Sequence, residues 1–384
     1  MSGYGTTAAG TSRPTLIILG IRGVPAAHGG FETFAERLAL WMRDKGWDVL
    51  VYCQGSASGQ CEEDEWQGIR RIHVPVKGDG AWATVAFDIA STRDALKVPG
   101  VILTLGYNTG FLSGLLRLFG RTNLINMDGL EWQRDKYSWA ERAYLWVNER
   151  IAAWSGTCLI ADHPVIADHL ATRTARRRIA TIPYGADAVH AADRTTLSAL
   201  GLDDQRFFTI IARPEPENTI LEMVAAFSAR PRGARLVVLG NYRRTHAFER
   251  AVLDAAGEEV IFPGAIYDKA IVSALRYHSV AYLHGHRVGG TNPSLVEALG
   301  AGSAVIAHDN PFNRWVAGET ALYFDDETGF SAAVDRMLAD EREQQAMKRE
   351  AQRRWAEAFD WPLILSDYER LIADHAAAMA GKVR

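Results

Sequence analysis

The sequence predicts an α/β protein made of two doubly wound, Rossmann-like parallel sheets that face each other across a cleft. Three observations carry this expectation. Short apolar runs recur along the chain, each followed by a turn and then a longer segment with helical spacing, the pattern of βα units on a buried sheet. The series starts again after the middle of the chain, with about six runs on each side, enough for two complete sheets. A length of 384 residues also suits two domains, each able to bury its own core.

In chain order the runs of the first half are 15–20 (TLIILG), 48–52 (DVLVY), 69–74, 101–105 (VILTL), 123–127 (NLINM), 157–161 (TCLIA) and 179–182 (IATI). Those of the second are 207–212 (FFTIIA), 235–239 (RLVVL), 259–262, 280–283 (VAYL), 304–307 (AVIA) and 321–324 (ALYF). The expected division is a flexible tail at 1–14, a first domain at 15–187, a linker at 188–202, a second domain at 203–354 and a C-terminal helical segment at 355–384. That last segment either packs terminally or crosses back to the first domain. The uncharged stretch 98–116 approaches the length of a membrane span. Its Pro99, Asn108, Gly100, Gly106, Gly110 and Gly114 divide it into a buried strand, a glycine turn and a helix start.

Composition narrows the function. Lys and Arg number 42 against 46 Asp and Glu, a net charge of -4, and 48% of residues are hydrophobic. These values describe a soluble globular chain and exclude disorder or a collagen-like repeat. They give no overall attraction to nucleic acid, so an anionic ligand must be held by local groups. Cys53, Cys61 and Cys158 are the only cysteines and lack metal-type or disulfide-type spacing, which fits a reducing cytoplasm and no structural metal.

Ligands of open parallel sheets bind beyond the carboxyl ends of the strands, so candidate residues are those that follow the runs. Gly29 and Gly30 open an amphipathic helix with Phe31, Phe34, Leu38 and Trp41 near helical spacing. They either admit a diphosphate or sugar to the backbone or simply make a tight turn. Arg213 follows the run 207–212, where it suits a phosphate or an ion pair between elements. The segment HGHRVGGTNPSLVEALGAG joins His284 and His286 to the turn Gly289, Gly290, Thr291 and Asn292 and a helix carrying Glu297. At least one histidine is expected to face the cleft. Glu297 either accepts from ribose-type hydroxyls or serves the helix as a capping or dipole residue. His163 and His169 read as structural, and 308–310 as a turn.

GGFExFxxxLxxxxxxxGxxVxVY (29–52), TIPYGAD (181–187), ARPEPEN (212–218) and GGTNPSLVEALGAG (289–302) together resemble glycosyltransferase family 4 enzymes of the GT-B fold. RGVPAAHGGFET, DGLEW and HGHRVGGTNPSL are similar to the bacterial rhamnosyltransferase-like subgroup. The resemblance implies that Arg213 binds a donor diphosphate, Glu297 binds the nucleotide's sugar hydroxyls, and Gly29 and Gly30 border the transferred sugar. Asn218 stands where the family usually has a lysine, and Gly289 where it usually has a glutamate. Asp128, with Glu131 and Trp132 close behind, occupies the place of a histidine near the reaction centre. The implied activity is retaining, metal-independent transfer of a sugar from a nucleotide-sugar donor, dTDP-L-rhamnose, to a saccharide or lipid-linked acceptor in cell-surface polysaccharide assembly. No cofactor is implied. Asp128 acts there as a base, orients the acceptor, or only caps the following turn. A UDP-hexose transferase and a non-catalytic sugar-nucleotide-binding subunit are the alternatives.

The segments 111–121 (FLSGLLRLFGR) and 139–154, with the basic residues Arg173, Arg176, Arg177 and Arg178, mix aromatic residues with arginine. That pattern fits a peripheral contact at the inner face of the plasma membrane, and equally core-facing helices with a charged outer face.

Overall fold

The computed structural model describes residues 13–27, 29–56, 59–78, 80–134 and 136–382. The tail expected at 1–14 lies outside the described residues except for its last two. The first sheet contains β1 (Thr15–Leu19), β2 (Asp48–Gly55), β3 (Glu62–Trp66), β4 (Ile69–Pro75), β5 (Val101–Leu105), β6 (Asn123–Asn126), β7 (Cys158–Ala161) and β8 (Ile179–Thr181), in spatial order β3-β4-β2-β1-β5-β6-β7-β8. The second contains β9 (Phe207–Ile211), β10 (Arg235–Leu239), β11 (Val260–Ile261), β12 (Tyr282–His284), β13 (Val305–His308) and β14 (Leu322–Phe324), in order β11-β10-β9-β12-β13-β14.

Strand β1 lies at the middle of its sheet, with Ile17 in register with Leu50 on one side and Ile102 on the other. Its alternate residues face opposite layers, as the two-residue strand period requires. Leu16 and Ile18 pack with Phe34 and Leu38 of the helix Gly30–Asp44, whereas Ile17 and Leu19 pack with Phe87 of the helix Ala81–Ala95. Both faces are therefore buried, which explains runs without polar alternation.

One strand departs from the expectation of a purely parallel sheet. The segment EEDEW forms β3, antiparallel to β4 at the sheet edge. It contains no apolar run because it buries little. Its register is held by charge pairs, with Arg70 Nε donating to Glu63 at 2.9 Å and Arg71 Nε to Asp64 at 2.7 Å.

The chain crosses between the sheets twice. The Ala186 amide donates to the Phe359 carbonyl at 2.8 Å, and the Trp355 indole Nε1 donates to the Ala186 carbonyl at 3.0 Å. The final helix, Trp361–Lys382, lies on the first domain, where Trp361, Ile364, Leu365, Tyr368 and Ile372 join the core around β1. The second half of the segment expected as a linker is not free chain. Arg194–Leu200 forms 3-10 turns, and Leu197 and Leu202 are buried with Phe207 and Leu275 of the second domain. Gly185 lies so close to Trp361 that an added Cβ would sit 2.6 Å from the indole ring.

Trp361 is 4% exposed, with its ring 4.9 Å from Tyr184 and the Arg37 guanidinium 5.1 Å from its centre. Replacing it with alanine is expected to destabilise the protein by about 3–5 kcal/mol in urea unfolding. A loss below about 1 kcal/mol would mean that the last helix does not depend on this anchor.

Candidate active site

The carboxyl ends of the two sheets face each other, and two adjoining cavities of about 360 and 190 Å³ lie between them. Asp128, Asp162, Glu131, Arg134, Arg213 and Thr291 border both. Asp128 follows β6, Asp162 follows β7, Arg213 follows β9 and His286 follows β12, as the strand-end rule for parallel sheets requires. A larger cavity of about 970 Å³ lies at the opposite, amino-end side of the second sheet, around Arg206, Val280 and Lys348, away from these residues.

The loop after β6 is held from behind. The Tyr107 hydroxyl donates to the Gly129 carbonyl at 3.1 Å and accepts the Glu131 amide at 2.9 Å. The Trp132 indole donates to the carboxylate of the buried Glu149, which His169 and Arg173 also engage. The Asp128 backbone is left-handed, with φ 52°, and the Asn126 side chain accepts its amide at 3.0 Å. Burial first, and then the Glu131 charge, push the Asp128 carboxyl up to about 6. Asp128 therefore lines both cavities as a carboxylate whose proton affinity is high enough to take part in proton transfer.

Glu131, expected beside it as a catalytic residue, is engaged elsewhere. Its carboxylate pairs with Arg134 at 2.9 Å, lies 3.7 Å from the Lys136 ammonium and accepts the Tyr137 hydroxyl at 3.1 Å. Arg134 also reaches across the cleft to Glu217, with Nε and Nη2 at 2.9 and 2.5 Å. Glu131 is thus the anchor of a basic cluster, and the arrangement offers no free carboxylate at that position.

On the second domain, Arg213 is exposed to the cleft and has no carboxylate partner among the described residues. Asn218, expected at the donor, is buried, and its side-chain amide donates to the Arg213 carbonyl at 2.9 Å. It borders the smaller cavity while holding the backbone of Arg213 in place. His286 borders the same cavity, and His284 lies buried behind it, the rings stacked at 4.3 Å. Burial, then the Arg213 and Arg134 charges, drive His286 down to about 3, so it faces the cavity as a neutral imidazole. Its Nδ1 has no hydrogen-bond partner among the described residues.

Gly289, Gly290, Thr291 and Asn292 all border the smaller cavity, and Gly30 borders the larger. Gly29 caps the helix from outside these walls. Asn292 accepts the Ser294 amide at 3.0 Å and so caps the helix Pro293–Gly300. Glu297 lies in the second turn of that helix. It pairs through Oε2 with Arg276 and stands outside the walls of both cavities.

Asp162 had no signal in the motifs, yet it joins the domains. Its Oδ2 accepts the Thr291 amide at 2.9 Å, and its carbonyl accepts the Thr291 hydroxyl. Oδ1 is buried without a partner among the described residues, and a Cβ on Gly290 would fall 2.2 Å from it, which explains glycine there. Beside it, His163 packs against Phe312 at 5.2 Å and Trp315 at 4.7 Å of the second domain. Among the described residues, no group of three or more His, Cys, Asp or Glu side chains is placed to hold a metal ion.

Burial and the Asp128 charge push the Asp162 carboxyl up to about 7. A carboxyl whose folded pKa lies above its unfolded value stabilises the fold fully below the unfolded value, and this is lost as pH rises through the folded one. Asp162→Asn cannot ionise and keeps an acceptor for Thr291. Its melting midpoint relative to the native protein should therefore rise by about 2 °C or more between pH 5 and 8. A pH-independent difference would remove Asp162 as the responsible group.

Comparison with known proteins agrees with this architecture. Residues 13–187 match the Domain of unknown function (DUF1972), and residues 195–354 match Glycosyl transferases group 1. No curated protein is significantly similar in sequence. Among solved structures, sucrose-phosphate synthase from Thermosynechococcus elongatus superimposes with a TM-score of 0.81 at 18% identity, over 95% of this chain and 100% of that one. Anabaena Alr3699/HepE, in complex with UDP and glucose, gives 0.73 at 14% identity, over 94% and 100%. WaaG, a glycosyltransferase involved in lipopolysaccharide biosynthesis, gives 0.69 at 15% identity, over 93% and 99%. The chain thus has the GT-B fold, with a DUF1972 domain in its first half and a glycosyl transferases group 1 domain in its second.

Proposed function

We propose that the protein is a retaining, metal-independent glycosyltransferase that moves L-rhamnose from dTDP-L-rhamnose to a saccharide or lipid-linked acceptor in cell-surface polysaccharide assembly. The observation that carries the reading is Arg213, a cation without a carboxylate partner among the described residues, in the wall of an interdomain cleft and within the group 1 domain. It receives the donor diphosphate, and His286 offers a neutral hydrogen-bonding edge beside it. Glu297, paired through Oε2 with Arg276 and outside the walls of both cavities, takes the deoxyribose hydroxyl where the donor extends beyond them. Gly289 leaves open space, since a Cβ there would meet nothing within 4 Å. A buried carboxylate without a sugar hydroxyl to bind would be costly, so a small residue suits a 6-deoxy sugar of different configuration. Asp128 holds the acceptor hydroxyl and receives its proton.

Isothermal titration tests the site. Arg213→Ala should weaken dTDP-rhamnose binding by about 1–3 kcal/mol, and unchanged affinity would remove Arg213 from it. Selective binding and turnover of UDP-glucose would replace the rhamnosyl reading. Tight binding without transfer or hydrolysis would favour a non-catalytic subunit.

The acceptor side of the proposal is a membrane surface reached from the cytoplasm. The helices Phe111–Leu118 and Trp139–Ser155 pack together and leave Leu118, Phe119, Trp139 and Trp154 exposed, with the Arg117 guanidinium 4.8 Å from the Trp154 ring centre. Among the described residues no helix is long and apolar enough to cross a membrane. A face of this kind lies in the headgroup region. Sedimentation should show binding to anionic liposomes and weaker binding to neutral ones. Equal recovery with both would overturn the membrane contact.

A further inference from the structure

The cations around the cleft are not equally satisfied. Arg134 is paired on both sides, with Glu131 of its own domain and Glu217 of the other. Among the described residues Lys136 has one carboxylate within ion-pair distance, Glu131 at 3.7 Å, which already accepts from Arg134 and Tyr137, and it also feels the charge of Glu217. The Lys136 side chain is 26% exposed, its ammonium lies 4.7 Å from the Tyr137 ring centre, and it lines the same cavity as Arg213. Burial and the positive charges of Arg134 and Arg213 disfavour its ammonium form, and the Glu131 and Glu217 charges offset this only in part. Two cations, one from each domain, therefore border one cavity: Arg213 without a carboxylate partner among the described residues, and Lys136 with a carboxylate it shares with Arg134. An anion between them would replace their repulsion with two favourable contacts.

We propose that Lys136 is the first-domain half of a diphosphate clamp whose second-domain half is Arg213, so that the bound diphosphate itself ties the domains together. The inference rests on the cleft being the nucleotide-sugar site. Asn218 shows why the second cation comes from the opposite wall, because its amide serves the Arg213 carbonyl and brings no charge. A diphosphate fits better than a carboxylate, since its charge is spread over two phosphoryl groups and it can meet both walls at once. The clamp assigns the segment around Lys136 a part in donor binding, whereas Arg134 holds the closed arrangement through Glu217.

The test is isothermal titration of the full chain with inorganic pyrophosphate, dTDP and dTMP. The proteins are the native form, Lys136→Met, Lys136→Arg and the surface control Lys97→Met. Lys136→Met should weaken pyrophosphate and dTDP by about tenfold or more and dTMP much less. Lys136→Arg should recover most of the loss, and Lys97→Met should match the native protein. Because Lys136→Arg keeps both charge and stem, it distinguishes a lost contact from a damaged fold. If the native protein binds dTDP and Lys136→Met binds it equally well, the clamp is overturned and the site reading stands. If pyrophosphate binding depends on Lys136 but no nucleotide binds, the clamp stands and the nucleotide-sugar reading falls. Absence of binding by both probes overturns both.

Discussion

The arrangement depends on one local constraint, the pairing of the two segments that cross between the domains. The Ala186 amide donates to the Phe359 carbonyl, the Trp355 indole donates to the carbonyl of Ala186, and Trp361 then fills the space that Gly185 leaves open. Two covalent connections bonded to each other restrict the relative placement of the sheets far more than one flexible linker could. The final helix completes this by burying Tyr368 in the first-domain core, where its hydroxyl accepts the Asn126 amide at 2.8 Å. Because Asn126 closes β6, the same helix supports the loop that carries Asp128.

With the sheets held in this way, the cleft chemistry follows from burial and charge. Carboxyls brought there without full compensation, Asp128 and Asp162, hold their protons more tightly than usual, and His286 holds its proton less tightly. The groups that are fully compensated, Glu131 with Arg134 and Glu217, act as structural ties across the gap. Which carboxyls hold their protons tightly is set by pairing, since Asp128 and Asp162 lack the cationic partner that Glu131 and Glu217 share in Arg134.

Much of the fold was legible in the sequence, because buried parallel strands are continuous apolar runs and every strand except β3 contains one. β3 escaped because an edge strand held by charge pairs needs no apolar pattern. Residues bordering the cleft were legible where a motif and a strand end coincided, as for Arg213, His286 and the 289–292 loop. Asp162 and Arg134, whose partners Thr291 and Glu217 lie in the other domain, were not.

The sequence by itself determined the two-sheet α/β architecture, the glycine and strand-end positions around the cleft, and the resemblance to family 4 glycosyltransferases, because periodicity and short motifs are local properties. Only the tertiary structure decided that Glu131 is tied, that Asn218 supports Arg213, that Asp162 joins the domains and that the last helix returns to the first. Each of these depends on which groups meet across long separations in the chain, and a charge has no role until its neighbours are known.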